Sequence, residues 1–116
     1  MSVQRMHTNQ RMSQIVIHGD TIYLAGQVAA DKPGASLAEQ TRNILDRIDA
    51  LLAEAGSDKT KLLSATIWLT DIQGFEEMNG VWDAWMPAGC APARATVEAK
   101  LAGPQFTIEI GVIAAK

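Results

Sequence analysis

A chain of 116 residues with 47% hydrophobic and 20% charged side chains has the balance of an ordinary globular protein, and we expect one domain over residues 1–116. A formal net charge of −3 provides no basic stripe for phosphate backbones and argues against a nucleic-acid partner. The chain has no apolar window of about twenty residues to span a membrane and no long apolar signal region at its start. Cys90, the single cysteine, cannot form a disulfide within one chain, so a cytoplasmic, reducing setting is the simplest expectation.

In chain order, Gln14 to His18 and Thr21 to Val28 are β-rich apolar runs separated by Gly19-Asp20, the pattern of a hairpin. A short extra strand fits before them. Asp31-Lys32-Pro33-Gly34 is a turn by composition. Ser36 stands three residues before Glu39, the spacing of a capping box, and Leu37, Thr41, Ile44, Ile48, Leu51 and Ala55 then recur at helical intervals. Leu45 and Leu52 widen that stripe, and Gly56 supplies the stop. Leu62 to Thr70 reads as a strand. Asp71 is placed to cap a second helix whose buried face is Phe75, Met78, Trp82 and Trp85 or Met86.

Two strands close the chain. Arg94 to Lys100 alternates Arg94, Thr96, Glu98 and Lys100 with Ala95, Val97 and Ala99. Phe106 to Ala114 places Phe106, Ile108, Ile110 and Val112 on one side. The order ββαβαββ predicts an α+β fold, a mixed sheet with two helices packed on one face. The other face is expected to carry Thr107, Glu109, Gly111 and Ile113 together with Arg94, Thr96 and Glu98. That mixture is too apolar for free solvation and predicts a homo-oligomer.

Candidate chemistry is sparse. His7, His18 and Cys90 have no ligand-like spacing, so no metal site is expected and each reads as structural or surface. Cys90 lies in the loop Pro87 to Pro92 without a neighbouring histidine to lower its pKa. Gly26, beside Gln27 in a strand, marks either a bulge or a close approach by a ligand or backbone. Trp68, Trp82 and Trp85 read as core. Arg94 opens a strand behind Pro92, and its planar fork of donors fits a carboxylate through two parallel hydrogen bonds. It serves either as an anion site or in an interface ion pair with Glu98 or Glu109.

The segment Ala91-Pro92-Ala93-Arg94-Ala95-Thr96-Val97-Glu98, followed by Ile108-Glu109-Ile110, resembles the C-terminal signature of the Rid (YjgF) family of imine and enamine deaminases. The likeness runs in order through Ala25-Gly26-Gln27, the helix ending in Ala55-Gly56, the strand Ala65 to Asp71, and Phe75 with Asn79. It implies a chorismate-mutase-like fold assembled as a homotrimer, with a central barrel of sheets, helices outside and ligand clefts between subunits. It also implies hydrolysis of 2-imino acids, and their enamine tautomers, to 2-keto acids and ammonia without a cofactor. By the resemblance, Arg94 grips the substrate carboxylate, Gly26 lines the pocket with its backbone, Asn79 lies near the cleft, and the Thr96 backbone lies beside the ligand.

The chain departs from the best-studied branch in three places. Gly111 stands where that branch has a water-orienting glutamate, Met12 or a neighbour stands where it has an aromatic, and the loop from Trp85 to Arg94 is about two residues shorter by alignment. An iminium carbon is already electrophilic, so positioning by Arg94 carries much of the barrier reduction. Glu109 is then a possible replacement base. The alternatives are a non-catalytic trimer that binds or senses a small keto or imino acid in the same clefts, and a structural trimer whose arginine only pairs across the interface.

Overall fold

A computed structural model describes residues 2–116. Its elements are β1 (Val3–Thr8), β2 (Ser13–His18), β3 (Thr21–Leu24), β4 (Gln27–Val28), α1 (Leu37–Glu54), β5 (Leu62–Leu69), α2 (Phe75–Trp85), β6 (Ala93–Glu98) and β7 (Ile108–Ala115). The strands form one sheet in the order β1-β2-β3-β7-β5-β6, with β4 also paired to β7. β5 and β6 run parallel and the other pairs antiparallel. The expected α+β architecture is borne out, and β1 is the extra strand at the start.

Local chemistry accounts for α1 at both ends. Ser36 Oγ accepts from Glu39 N–H at 3.2 Å and caps the start. At the other end Gly56 takes φ +82°, a conformation that favours glycine. The Gly56 and Ser57 amides donate to the Ala53 and Leu52 carbonyls at 3.1 and 2.8 Å, a Schellman closure. The stripe Ile44, Leu45, Ile48 and Leu52 is buried. Gln40, also fully buried, donates to the Ala35 and Gln105 carbonyls and accepts from Thr107 N–H at 2.9 Å. That one amide fastens α1 to the entrance of β7, with every polar atom satisfied.

The core lies between the helices and one side of the sheet. Ile15, Ile17, Ile22, Leu24, Leu62, Ala65, Ile67, Leu69, Ile108, Ile110, Val112 and Ala114 are the strand residues that fill it. α2 adds buried Met78 and Trp82, with Phe75 and Trp85 half-buried beside them. Asp71 does not cap α2 as the sequence suggested. Its carboxylate accepts from Gln73 N–H and caps a single 3₁₀ turn, Ile72–Gly74, that leads into the helix. Phe106 and Thr107 likewise fall outside the last strand, which begins at Ile108.

Two expectations about the sheet are corrected. Thr21 to Val28 is not one strand. From Tyr23↔Ile113 to Gln27↔Ile110 one side advances four residues and the other three, so a bulge at Ala25-Gly26 divides β3 from β4. Trp68 is not core: it pairs with Glu109 opposite the Ala65, Ile67 and Leu69 side of β5 and stays half-buried on the open face. Tyr23, Val97 and Ile113 share that uncovered face by register and alternation.

Candidate functional site

Arg94 is the second residue of β6, and the parallel pairing Ala65↔Arg94, Ile67↔Thr96, Leu69↔Glu98 fixes its side. Residues in register on adjacent strands share a face. Arg94, Thr96 and Glu98 therefore lie on the helix side, not with Glu109, Gly111 and Ile113 as the sequence suggested. The alternation within β6 was legible; the side of the sheet depended on its register with β5.

The helix side surrounds Arg94. One guanidinium nitrogen, Nη2, donates to Asn79 Oδ1 at 2.8 Å. The guanidinium carbon stands 5.8 Å from the Phe75 ring centre and 5.3 Å from that of Trp82. Phe75, Asn79 and Trp82 fall at i, i+4 and i+7 of α2, so one stripe of a single helix supplies all three. Such cation–ring contacts contribute about 0.5–2 kcal/mol each and hold the guanidinium plane. A guanidinium carries five N–H donors, and Asn79 takes one. The contacts between basic and acidic side chains among the described residues are His7–Glu54 at 2.7 Å and Arg47–Asp31 at 3.3 Å, and neither involves Arg94. Glu98 instead accepts from Ile72 N–H at 3.1 Å. Within one chain, then, Arg94 is oriented but not neutralised. Thr96, on the same face, has a buried hydroxyl oxygen without a hydrogen-bond partner.

Glu109, Gly26 and Gly111 meet on the other side of the sheet. A Cβ on Gly26 would collide with the Glu109 carboxylate, so glycine is required for that carboxylate to lie over the bulge. A Cβ on Gly111 would sit 3.4 and 3.5 Å from Trp68 ring carbons and 3.8 Å from Gly26 Cα. The indole thus leans over Gly111, where the sequence lacks a glutamate. Of the two readings the sequence left open for Gly26, the bulge is borne out, and the group that comes close to it within the chain is the Glu109 side chain.

A buried amide holds the bulge from behind. Gln27, 2% exposed, donates from Nε2 to Gln14 Oε1 at 2.7 Å and to the Ala25 carbonyl at 3.0 Å. Its Oε1 accepts from Arg47 Nε at 3.3 Å, and Arg47 reaches Asp31. Hydrogen bonds from Asn43 and Arg47 hold the Asp31 carboxyl below its ordinary value. A lone glutamine beside Gly26 gives no periodic signal in the sequence, so this role of Gln27 was not legible there.

Arg94 and Asn79 are thus brought together, as are Gly26 and Glu109, but the sheet separates the two pairs. His7 contacts Glu54, His18 is exposed, and Cys90 Sγ has a long contact of 3.8 Å to the Ala88 carbonyl. Among the described residues no group of three or more His, Cys, Asp or Glu side chains is arranged to hold a metal ion.

Comparison with known proteins agrees with the fold. A family model described as Endoribonuclease L-PSP matches residues 2–116. RutC family protein YoaB of Escherichia coli K12 is 44% identical over 115 residues, which is 99% of each chain. A RutC family protein of Haemophilus influenzae is 42% identical over 114 residues, 98% of each. The crystal structure of NMB1025, a YjgF family member from Neisseria meningitidis, matches with a TM-score of 0.96 at 46% identity, covering 100% of this chain and 96% of that one. YyfA of Yersinia pestis, described as a conserved Rid family protein, matches at 0.91 with 28% identity, covering 99% of this chain and 100% of its own. With the family model matched along the described chain and relatives above 40% identity over nearly its whole length, the chain belongs to the YjgF/Rid family.

Proposed function

We propose that this protein hydrolyses 2-imino acids, and their enamine tautomers, to 2-keto acids and ammonia, as a homotrimer with its sites between subunits. The observation that carries the reading is the state of Arg94. Its guanidinium is aimed by Asn79 and two aromatic rings, yet has no carboxylate partner among the described residues of its own chain. A fork held in this way suits the carboxylate of a small acid.

The split across the sheet supports the oligomer. Arg94 and Asn79 sit on one side and Gly26 and Glu109 on the other, so a substrate touching both sets requires two chains. In the proposed cleft, Arg94 of one subunit holds the carboxylate and the Thr96 backbone flanks it. The Ala25-Gly26 bulge and Glu109 of the next subunit face the imine. Water adds its oxygen to the imine carbon and gives a proton to the Glu109 carboxylate. That proton then passes to nitrogen, the C–N bond breaks with its electron pair leaving on nitrogen as ammonia, and the carbinol O–H gives its proton to the freed Glu109 carboxylate as the keto acid forms. Positioning supplies most of the acceleration, because the iminium carbon is already electrophilic.

The test is a coupled assay in which an amino-acid oxidase or a threonine dehydratase generates the imine. Arg94→Ala is expected to abolish acceleration over buffer, and wild-type rates in that variant refute the carboxylate assignment. A fully active Glu109→Gln removes Glu109 as the base. One observation favours a second reading, a trimer that binds small acids without catalysis: an indole rather than a carboxylate lies over Gly111. Saturable binding of 2-ketobutyrate with no effect on imine loss would select it.

A further inference from the structure

Trp68 stands outside every role assigned so far. It is a large aromatic ring on the open face, half-buried, beside the two glycines and the one carboxylate that meet there. Its six-membered ring takes the space above Gly111, and Gly26 Cα lies just beyond. The neighbouring open-face positions by register are Thr66, Val97 and Val28, all uncharged. The Glu109 carboxylate therefore has an indole, two glycine backbones and uncharged neighbours around it, with no ion-pair partner among the described residues.

Resting on the reading that the cleft includes Gly26 and Glu109, we infer that Trp68 determines side-chain specificity, selecting 2-imino acids with bulky uncharged apolar or aromatic side chains over dicarboxylic ones. Two features of the cluster act in the same direction. A flat indole offers a large apolar plate to an aliphatic chain and an offset stacking surface to a ring. A second substrate carboxylate would face Glu109 with no cation beside it, and unpaired like charges on a partly dry surface are rejected strongly. Gly111 contributes by leaving the indole in place. A Cβ at 111 would already lie in van der Waals contact with the ring, so a longer side chain there would have to share that space with the indole.

Binding of keto acids tests this without relying on turnover. On the wild-type trimer, phenylpyruvate and 4-methyl-2-oxopentanoate are expected to bind about tenfold or more tighter than 2-oxoglutarate, as differences of this size are typical of one well-formed apolar contact. Trp68→Ala is expected to erase most of that preference while changing 2-ketobutyrate binding less than about threefold. Trp68→Phe keeps the preference in weaker form, and Glu109→Gln narrows the gap to 2-oxoglutarate from the other side. Equal binding of all four acids to wild type overturns the inference, as does an unchanged preference in Trp68→Ala. So does a parallel loss of every ligand in that variant, because Trp68 would then only support the face. If the preference is present and Trp68-dependent but imine loss is not accelerated, the hydrolase reading fails and the specificity assignment stands.

Discussion

The two sides of the sheet carry different kinds of order. On the helix side, Arg94 is surrounded by residues of its own chain: Asn79 fixes one nitrogen and Phe75 and Trp82 flank the guanidinium carbon. On the open side, Glu109 is placed by shape, because Gly26 lacks a side chain and Trp68 fills the space over Gly111. The first half is preorganised by packing between β6 and α2. The second half is exposed until something covers the face. Changes on the helix side should therefore act at any protein concentration, and changes on the open side should depend on assembly.

The largest effect breaks this comparison most directly. Ile110 is fully buried on the helix side of β7, and Ile113, three residues on, lies half-buried on the open side. Ile110→Ala should cost about 2–5 kcal/mol in chemical denaturation, independent of protein concentration. Ile113→Asp should leave the isolated chain folded yet shift sedimentation toward the monomer and make stability dependent on concentration. If Ile113→Asp sediments as wild type does, the open face is not the covered one.

Next in size is Arg94→Ala. Removing one partner of a hydrogen-bonded charge pair typically costs about 2–5 kcal/mol, so the dissociation constant of 2-ketobutyrate should rise about thirtyfold or more. Arg94→Lys keeps the charge but not the planar fork and should recover only part of that loss. A smaller effect is expected for Gly26→Ala. Its Cβ must push aside a half-exposed, flexible Glu109, so stability should change by about 1 kcal/mol or less. Imine turnover should fall further than 2-ketobutyrate affinity, since the carboxylate moves and Arg94 does not. Equal losses in the two would mean that both halves respond as one unit.

Elements defined by local chemistry were legible in the sequence, and facts that depend on pairing between distant strands were not. The Ser36 cap, the Gly56 stop and the stripe of α1 each depend on residues within a turn or two of one another. The face of Arg94 does not. Alternation tells which residues of β6 are together, but only the parallel register Ala65↔Arg94 places that set under the helices. The same reason hid the bulge, which exists only as a mismatch between β3–β4 and β7. Trp68 was misplaced for a different reason: its side follows from alternation with Ile67 within β5, but its hydrophobicity read as core. Arg94 stood out in the sequence for its donor fork behind Pro92, and Gly26 as a bulge or close approach, but their roles at a ligand, with that of Asn79, came from motif resemblance, since the contacts of Arg94 to Phe75, Asn79 and Trp82 join β6 to α2.

The smallest expected effect concerns the support behind the open-side half. Asp31 anchors Arg47, Arg47 donates to Gln27, and Gln27 donates to the Ala25 carbonyl at the bulge. Asn43 and then Arg47 lower the Asp31 pKa from its ordinary 3.8 in the folded chain. A carboxyl lowered on folding stabilises the native state above its unfolded pKa, and that contribution fades as pH falls through the folded value. Wild type should therefore be slightly more stable than Asp31→Asn at neutral pH, with the two melting curves converging below pH 3.8. The group is on the surface, so the difference should also shrink in high salt. Gln27→Leu, by contrast, strips a buried amide of its three contacts and should destabilise far more, at neutral and acid pH alike. An Asp31→Asn difference that persists into acid would show that the surface end of this chain acts through shape and not charge.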